Sequence, residues 1–355
     1  MKTKLVYVLT CATEATYIEQ ALMAVWSARH WNPDAHIVLI VDDKTDALLT
    51  GKRGEILHYI SEKIVVPFKD ESLSPMYRSR YIKTQVRELV SGDILFVDSD
   101  TICCRSLGEV DDFTCEIGAA ADNNVLFTED AFRDDTIRQV ASVCDLSKEQ
   151  YYFSSGVLFC QDTPAVHKLF ALWHKYWQEG VDKGINIDQP AFAKANIEMG
   201  HIIQPIDDVY NCVLYTQNSY LTDAVILHVS RFQQMSFLFK PKTLALIREQ
   251  GIAPWLSDLI LHVHSTYLPY DYSIKHSSCA IRRSWINDIS YAAEMYYRYI
   301  DQSFDEWSFQ AGVAPFVKRC YQLHCFRLGS WMWLEYKRFL LRNKNNLRAN
   351  ICLRG

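Results

Sequence analysis

Short apolar runs alternate with helical patterns through the first two thirds of this chain of 355 residues. The runs are nearly continuous in apolar residues, which is typical of strands that are covered on both faces. Predicted strands lie at residues 5–9, 36–41, 63–66, 93–97, 115–121, 151–160 and 224–229. Predicted helices lie at residues 18–30, 55–60, 77–90, 164–178 and 188–196. This alternation predicts an α/β fold in which helices cover both faces of a mostly parallel sheet.

The composition indicates a globular protein in a reducing compartment. Hydrophobic residues make up 49% of the chain and charged residues 22%, which excludes a disordered chain. The cysteines number 11 and include no pair with the spacing of a zinc or redox motif, so we expect free, buried thiols. The first apolar run is too short for a secretory signal, and no run is long enough to span a membrane. We therefore expect a cytoplasmic location.

The alternation ends near residue 240, where helical, aromatic and basic sequence begins. This predicts a first domain at residues 1–240 and a helical C-terminal region at residues 241–355. Between Pro315 and Arg354 there are 9 Lys and Arg residues against one acid, Glu335. Aromatic and basic side chains both favour lipid headgroups, so the tail from Leu328 could dock on the inner face of the cell membrane. The alternative is a terminal helix that packs its aromatic residues on the first domain.

Polar residues follow three of the predicted strands at their carboxyl ends. They are the segment 10–13 after the first strand, Asp42 after the second, and the pair Asp98 and Asp100 after the fourth. Ligands of such sheets bind beyond the carboxyl ends of the strands. Two carboxylates one residue apart can jointly hold a hard divalent cation, Mn²⁺ or Mg²⁺. The alternative for the pair is a solvated turn in which Asp98 serves as a cap.

Four later motifs follow the acid pair in order. Asp122 comes after a small-residue strand, FSSGV occupies residues 153–157, Asp188 opens the segment DQPAF, and His228 closes the run AVILH. With the acid pair, over roughly residues 4–230, they resemble the GT-A nucleotide-sugar glycosyltransferases. The order is similar to family 8, the retaining group that includes glycogenin and bacterial lipopolysaccharide galactosyltransferases.

The resemblance implies a metal-dependent glycosyltransferase, more specifically a hexosyltransferase. It would move a sugar from a nucleotide-sugar, most simply a UDP-sugar, to a glycan or lipid-linked saccharide, with retention of configuration. Its products would serve the synthesis of cell-surface polysaccharide or lipopolysaccharide. No nucleic-acid partner is expected.

The resemblance also implies roles for individual residues. It assigns Asp98, Asp100 and His228 to the metal and places Asp188 and Gln189 beside the reacting carbon. Donor contacts would come from Thr10, Ala12, Thr13, Tyr17, Asp42, Arg80, Lys83, Asp98, Ser99, Asp122, Ser154, Ser155 and Gly156. Helix or loop capping is the alternative for Thr13, Asp122 and Asp188.

The sequence departs from the family pattern at two places. Ser154 stands where the family has an asparagine that meets the donor sugar, so the choice of sugar does not carry over. The family's glycine and lysine after the metal-binding histidine are missing, and Arg231 and Lys240 are the nearest substitutes. His262 and His264 offer a second fit to the histidine ligand.

Three other readings of the sequence compete with a retaining transferase. A sugar nucleotidyltransferase would carry a glycine-rich loop after the first strand, and the segment TCATEATY has no glycine. A non-catalytic relic of the fold would bind nucleotide or sugar without turning it over. An inverting GT-A transferase would use a carboxylate base, a role that Asp188 could fill.

Overall fold

The computed structural model describes residues 1–124, 126–127, 134–213, 224–229, 237–239 and 241–261. The predicted tail, Arg231, Lys240, His262 and His264 lie outside these residues. Within the described residues, no helix combines the length and the apolar character that a membrane crossing requires.

The described strands form two sheets. In chain order they are β1 (Lys4–Leu9), β2 (Ile37–Asp42), β3 (Glu62–Val66), β4 (Ile94–Val97), β5 (Thr101–Cys103), β6 (Ile117–Ala121), β7 (Phe153–Cys160), β8 (Ile203–Pro205), β9 (Cys212–Val213) and β10 (Ile226–His228). The main sheet has seven strands in the order β3-β2-β1-β4-β7-β6-β8, and a three-stranded sheet has the order β5-β10-β9. All neighbouring pairs of the main sheet are parallel except those of β7, which runs antiparallel to β4 and β6.

The described helices lie mainly between these strands. They are α1 (Tyr17–Trp31), α2 (Asp43–Asp46), α3 (Pro75–Lys83), α4 (Val86–Leu89), α5 (Asp134–Ala141), α6 (Pro164–Val181), α7 (Gln189–Glu198), α8 (Pro241–Gln250) and α9 (Pro254–Leu261). Short 3-10 turns lie at Gly51–His58, Gly108–Asp112, Asp122–Asn124, Asp208–Asn211 and Phe237–Phe239.

Hydrophobic clusters cover both faces of the main sheet. Successive side chains of a strand point to opposite faces, and those of β1 divide accordingly. Leu5, Tyr7 and Leu9 join the cluster that contains α1, whereas Val6 and Val8 join the one that contains α6 and α7. The predicted fold class, a mostly parallel α/β sheet with helices on both faces, is confirmed.

Helices α8 and α9 pack against α1, although they follow residue 240. Leu244 and Ile247 of α8 and Leu256 and Ile260 of α9 are buried in the same cluster as the inner side chains of α1. Residues 241–261 therefore share the core of the first domain. A separate C-terminal region stays a prediction for residues 262–355.

The helix predicted at residues 77–90 is divided into α3 and α4. Thr84 lies at the division, and its hydroxyl bonds to the backbone oxygen of Arg80 at 2.9 Å and to Nδ1 of His174 at 2.7 Å. A side chain that bonds the preceding turn often bends a helix, which is the physical reason for the difference. Strands β5, β8 and β9 are missing from the sequence prediction because two or three residues give no periodic pattern. The equally short β10 was predicted because it lies within the longer apolar run of residues 224–229.

Candidate functional site

The carboxyl ends of four parallel strands meet at one edge of the main sheet. β1 is the parallel neighbour of both β2 and β4. β6 points the same way as β4, because β7 runs antiparallel to both. The segment after β1, Asp42, the pair Asp98 and Asp100, and Asp122 therefore lie along one edge. This is the edge at which α/β sheets bind ligands.

The acid pair occupies a tight connection between β4 and β5. The Asp98 amide donates to the Gly156 oxygen at 2.8 Å, which ties the connection to β7. The Thr101 hydroxyl donates to the backbone oxygen of Asp98 at 2.8 Å and closes the turn. Both carboxylates are partly exposed, at 30% for Asp98 and 24% for Asp100. The turn therefore presents both side chains at the sheet edge.

The small sheet brings His228 to the acid pair. β10 runs antiparallel to β5 with His228 opposite Thr101. The Val229 amide donates to the backbone oxygen of Asp100 at 2.9 Å. His228 Nε2 consequently lies 3.2 Å from Asp100 Oδ1. One ligand atom from each of Asp98, Asp100 and His228 lies within 4.8 Å of the others. The resemblance had implied this trio, and the structure assembles it.

The donor set of the trio suits a divalent cation. Two carboxylates offer hard oxygen ligands, and an imidazole nitrogen beside them is a mixed set that Mn²⁺ accepts. Burial by itself would raise the pKa of Asp100, but the neighbouring His228 charge and its hydrogen bond outweigh burial and lower that pKa. Burial would likewise lower the pKa of His228, and Asp100 reverses the direction, so that the pKa of His228 is raised. Asp100 and His228 therefore stabilise each other's charged forms, and Asp98 and Asp100 are the two anionic ligands that the trio offers to a cation.

Two cations of α3 stand beside the trio. Ser74 caps the start of this helix, and Arg80 and Lys83 are three residues apart on its surface, which places them on one face. Lys83 Nζ contacts both carboxylate oxygens of Asp98 at 3.1 and 3.2 Å. It also lies 3.6 Å from Asp188 Oδ2, and Arg80 Nε lies 3.5 Å from Asp188 Oδ1. The site therefore combines a candidate cation site, the trio, with two basic side chains next to it.

Asp188 is a buried, ionised carboxylate at the start of α7. Its side chain makes no capping hydrogen bond to that helix, so capping does not explain the residue. Ser155 Oγ donates to Asp188 Oδ2 at 3.0 Å. Burial would raise the pKa of Asp188, but Lys83, Arg80 and the Ser155 hydrogen bond together lower it. Next to it, Gln189 Oε1 accepts from the Ser155 amide at 3.5 Å.

Gly156 of β7 passes close to the trio. A Cβ added at this position would overlap His228 Cε1 and lie 2.9 Å from His228 Nδ1 and 3.1 Å from Asp98 Oδ2. Only a residue without a side chain leaves both ligands in place here. The preceding Ser154 is 4% exposed, and its hydroxyl accepts from the Gly156 amide at 3.2 Å. The FSSGV motif thus packs directly beneath the trio.

The segment after β1 is fixed by its neighbours and exposed at its tip. Thr10 Oγ1 donates to the Pro75 oxygen at 2.6 Å, which joins this segment to the start of α3. Ala12 and Thr13 are exposed, and Tyr17 is 47% exposed. Thr13 does not cap α1, because the residue at the cap position is Thr16 and makes no capping bond. These side chains are accessible to a ligand at the same edge as the trio.

Asp42 and Asp122 differ in what their surroundings allow. Asp42 is fully buried, accepts from the Thr45 amide at 2.8 Å and pairs with Arg78. Its carboxylate is engaged inside the protein, so we leave Asp42 out of the donor site and assign it to holding α3 against β2. Asp122 begins the turn after β6 and is partly exposed at the site edge.

Four residues that support the site carried no sequence signal. Glu19 of α1 is 1% exposed and pairs with Arg53 at 2.7 Å and with Arg248 of α8 at 2.9 Å. The same two arginines donate to the backbone oxygen of Ala15, at 2.8 and 2.7 Å, and so hold the segment after β1. Asn211 contacts His228. An isolated glutamate, arginine or asparagine has no diagnostic spacing, and only their contacts reveal them.

The chain is similar to several solved structures at low sequence identity. No protein-family model matches the sequence, and no curated protein matches it. Among solved structures, mouse xyloside xylosyltransferase 1 in its apo form is similar at TM-score 0.44 and 14% identity, over 65% of this chain and 98% of that one. An active-site mutant of LgtC is similar at TM-score 0.44 and 15% identity, over 64% and 87%. The galactosyltransferase LgtC with donor and acceptor sugar analogs is similar at TM-score 0.46 and 14% identity, over 76% and 98%.

Proposed function

We propose that this protein is a metal-dependent glycosyltransferase that moves a sugar from a nucleotide-sugar to a saccharide acceptor. The observation that carries the proposal is the trio Asp98, Asp100 and His228 at the ligand-binding edge of the sheet, with Arg80 and Lys83 beside it. A diphosphate leaving group develops negative charge as the glycosidic bond breaks. A divalent cation together with fixed basic side chains is the arrangement that stabilises such charge.

The residues divide the chemistry between them. Asp98, Asp100 and His228 would hold the cation, which when bound would act as a Lewis acid on the diphosphate. Lys83 and Arg80 would add positive charge. Asp98 and Asp188 hold the Lys83 ammonium in place, and Arg80 Nε lies 3.5 Å from Asp188. The exposed tip of the segment after β1, with Tyr17 beyond it, would bind the nucleoside. We propose UDP as the nucleotide, on the strength of the sequence resemblance.

The setting of Asp188 favours retention of configuration. An inverting transferase needs a carboxylate base that can take a proton from the acceptor. Asp188 is held by Arg80, Lys83 and Ser155, and its lowered pKa makes it a weak base. The same ionised carboxylate can stabilise positive charge on the sugar as the leaving group departs. We therefore propose that Asp188 acts electrostatically, with Gln189 beside it.

The finer features of the proposal rest on the sequence alone. We propose Mn²⁺ as the cation, with Mg²⁺ as the alternative, a glycan or lipid-linked acceptor, and a role in cell-surface polysaccharide or lipopolysaccharide synthesis. We propose a cytoplasmic location on the strength of the unpaired cysteine pattern. The basic, aromatic tail supports contact with an anionic membrane surface.

Calorimetry with UDP, in Mn²⁺ buffer and in EDTA, tests the proposal. We expect tighter UDP binding with Mn²⁺, because Asp98, Asp100 and His228 would hold a cation that would attract the charge of the diphosphate. A screen of UDP-sugars should then identify a donor that is slowly hydrolysed to UDP. Equal affinities in the two buffers would contradict the proposed cation site. Metal-dependent binding without hydrolysis or transfer of any donor would instead indicate a non-catalytic binding protein.

A further inference from the structure

Asn211 is fully buried beside the imidazole of His228. It ends the 3-10 turn Asp208–Asn211 and leads directly into β9, which pairs in parallel with β10. The Asn211 side-chain oxygen lies 2.8 Å from Nδ1 of His228, which is the ring nitrogen on the side away from the acid pair. His228 Nε2 is the atom that approaches Asp100. The two ring nitrogens thus have separate partners.

The chemistry of a histidine ligand gives this contact a consequence. An imidazole binds a cation through an unprotonated nitrogen, so a ligand that uses Nε2 must carry its proton on Nδ1. That proton needs an acceptor, and in many metal sites such an acceptor fixes the tautomer and the ring orientation. We propose that Asn211 is a positioning residue that directs the Nε2 lone pair of His228 toward Asp98 and Asp100. This inference rests on the cation site of the proposed function.

A second buried amide holds Asn211 in place. Asn124 Nδ2 donates to the Asn211 backbone oxygen at 2.9 Å, and Asn124 Oδ1 accepts from the Val213 amide at 2.7 Å. Asn124 has a φ of 53°, a left-handed conformation that asparagine tolerates better than most residues. The turn that begins with Asp122 therefore supports the metal-binding histidine through Asn124 and Asn211.

The orientation of the Asn211 amide decides the outcome. With the oxygen toward His228, the Asn211 amide nitrogen has no hydrogen-bond partner in the part of the chain that the structure describes. Turned around, the amide would donate to Nδ1, and the neutral ring would carry its proton on Nε2, where it blocks the cation. A carboxylate at this position can only accept. Asn211→Asp therefore separates the two orientations.

Titration of Mn²⁺ alone, followed by the electron paramagnetic resonance signal of the free ion, tests the inference on the full chain. Asn211→Leu keeps the branched shape but removes the acceptor, and we expect it to weaken Mn²⁺ binding about 10–100-fold. Asn211→Asp should retain Mn²⁺ affinity. In a His228→Ala background, Asn211→Leu should cause no further loss, because its effect passes through His228.

Three results would overturn the inference while leaving the cation site intact. They are unchanged Mn²⁺ affinity in Asn211→Leu, equal losses in Asn211→Leu and Asn211→Asp, and a further loss when Asn211→Leu is added to His228→Ala. If Asn211→Leu does not fold, Asn211→Asp decides alone, since loss of Mn²⁺ affinity in that variant contradicts an acceptor role. Failure of the unaltered chain to bind Mn²⁺ would overturn the cation site and this inference together.

Discussion

Gly156→Ala is the substitution whose effect on the site follows most directly from geometry. The added Cβ would lie 2.9 Å from His228 Nδ1 and 3.1 Å from Asp98 Oδ2, whereas ordinary contacts need about 3.5 Å. The added Cβ would also overlap His228 Cε1, so the imidazole must retreat by about 1 Å and the Asp98 carboxylate by about half an ångström. Ligand distances in metal sites are held to within about 0.2 Å, so both residues would leave their binding positions. We expect Mn²⁺ affinity to fall at least tenfold, or about 1.4 kcal/mol.

The same overlap costs stability, and a matched control separates the two effects. Overpacking of this kind destabilises a protein by about 1–3 kcal/mol, which lowers the melting temperature by a few degrees. Gly118 lies on the adjacent strand β6, and a Cβ there would lie 2.5 Å from Ile206 Cγ2 and 3.0 Å from Cys115 Sγ. Neither atom belongs to the trio. Gly118→Ala should therefore destabilise the protein comparably and leave Mn²⁺ affinity unchanged.

Two measurements on each variant are sufficient. Thermal unfolding in EDTA reports stability without a cation, and Mn²⁺ titration at a temperature where both variants are folded reports the site. Wild-type Mn²⁺ affinity in Gly156→Ala would refute the reasoning, because it would mean that the site does not depend on the close approach of β7. An equal loss of affinity in Gly118→Ala would also refute it, since the effect would then be one of general destabilisation.

Three further substitutions probe other parts of the site. Asp100→Ala should abolish the gain in UDP affinity that Mn²⁺ gives in calorimetry and leave the melting temperature in EDTA nearly unchanged; gross unfolding would indicate a structural acid. Asp188→Asn should slow UDP-sugar hydrolysis about 100-fold at pH 7, because an ionised carboxylate is lost, and unchanged turnover would exclude its electrostatic role. Arg248→Met should lower the free energy of unfolding by only about 1 kcal/mol, because Glu19 keeps its ion pair with Arg53. It should also weaken UDP binding, because the segment after β1 loses the hydrogen bond from Arg248 to the Ala15 backbone oxygen. Unaltered UDP affinity in Arg248→Met would place the nucleoside elsewhere.

Much of the architecture was predictable because its signals are local. A nearly continuous apolar run followed by a polar residue marks both a buried strand and its carboxyl end, and such runs identified β1, β2 and β4. Once these strands are parallel neighbours, their polar ends must share an edge. The acid pair could therefore be placed at a ligand-binding edge from the sequence, together with the basic helix that precedes β4.

The sequence was less informative wherever one side chain had alternative partners. Its position after β2 predicted that Asp42 contacts the donor. In the structure, the Asp42 carboxylate instead pairs with Arg78 and accepts a hydrogen bond from the Thr45 amide. The sequence left Asp188 between helix cap and active-site acid, and contacts with Lys83, Arg80 and Ser155 favour the acid. The alternatives have the same residue types in the same order, so only spatial neighbours separate them.

The sequence by itself determined the α/β class, the strand ends that carry polar residues, and the acid pair, because strand periodicity and strand ends are encoded by adjacent residues. Only the tertiary structure decided that His228 faces Asp100, that Asn211 stands behind it, and that α8 helps to hold the segment after β1. Those contacts join residues that are far apart in the chain, and they depend on how strands and helices pack. A single sequence carries no local pattern for such packing.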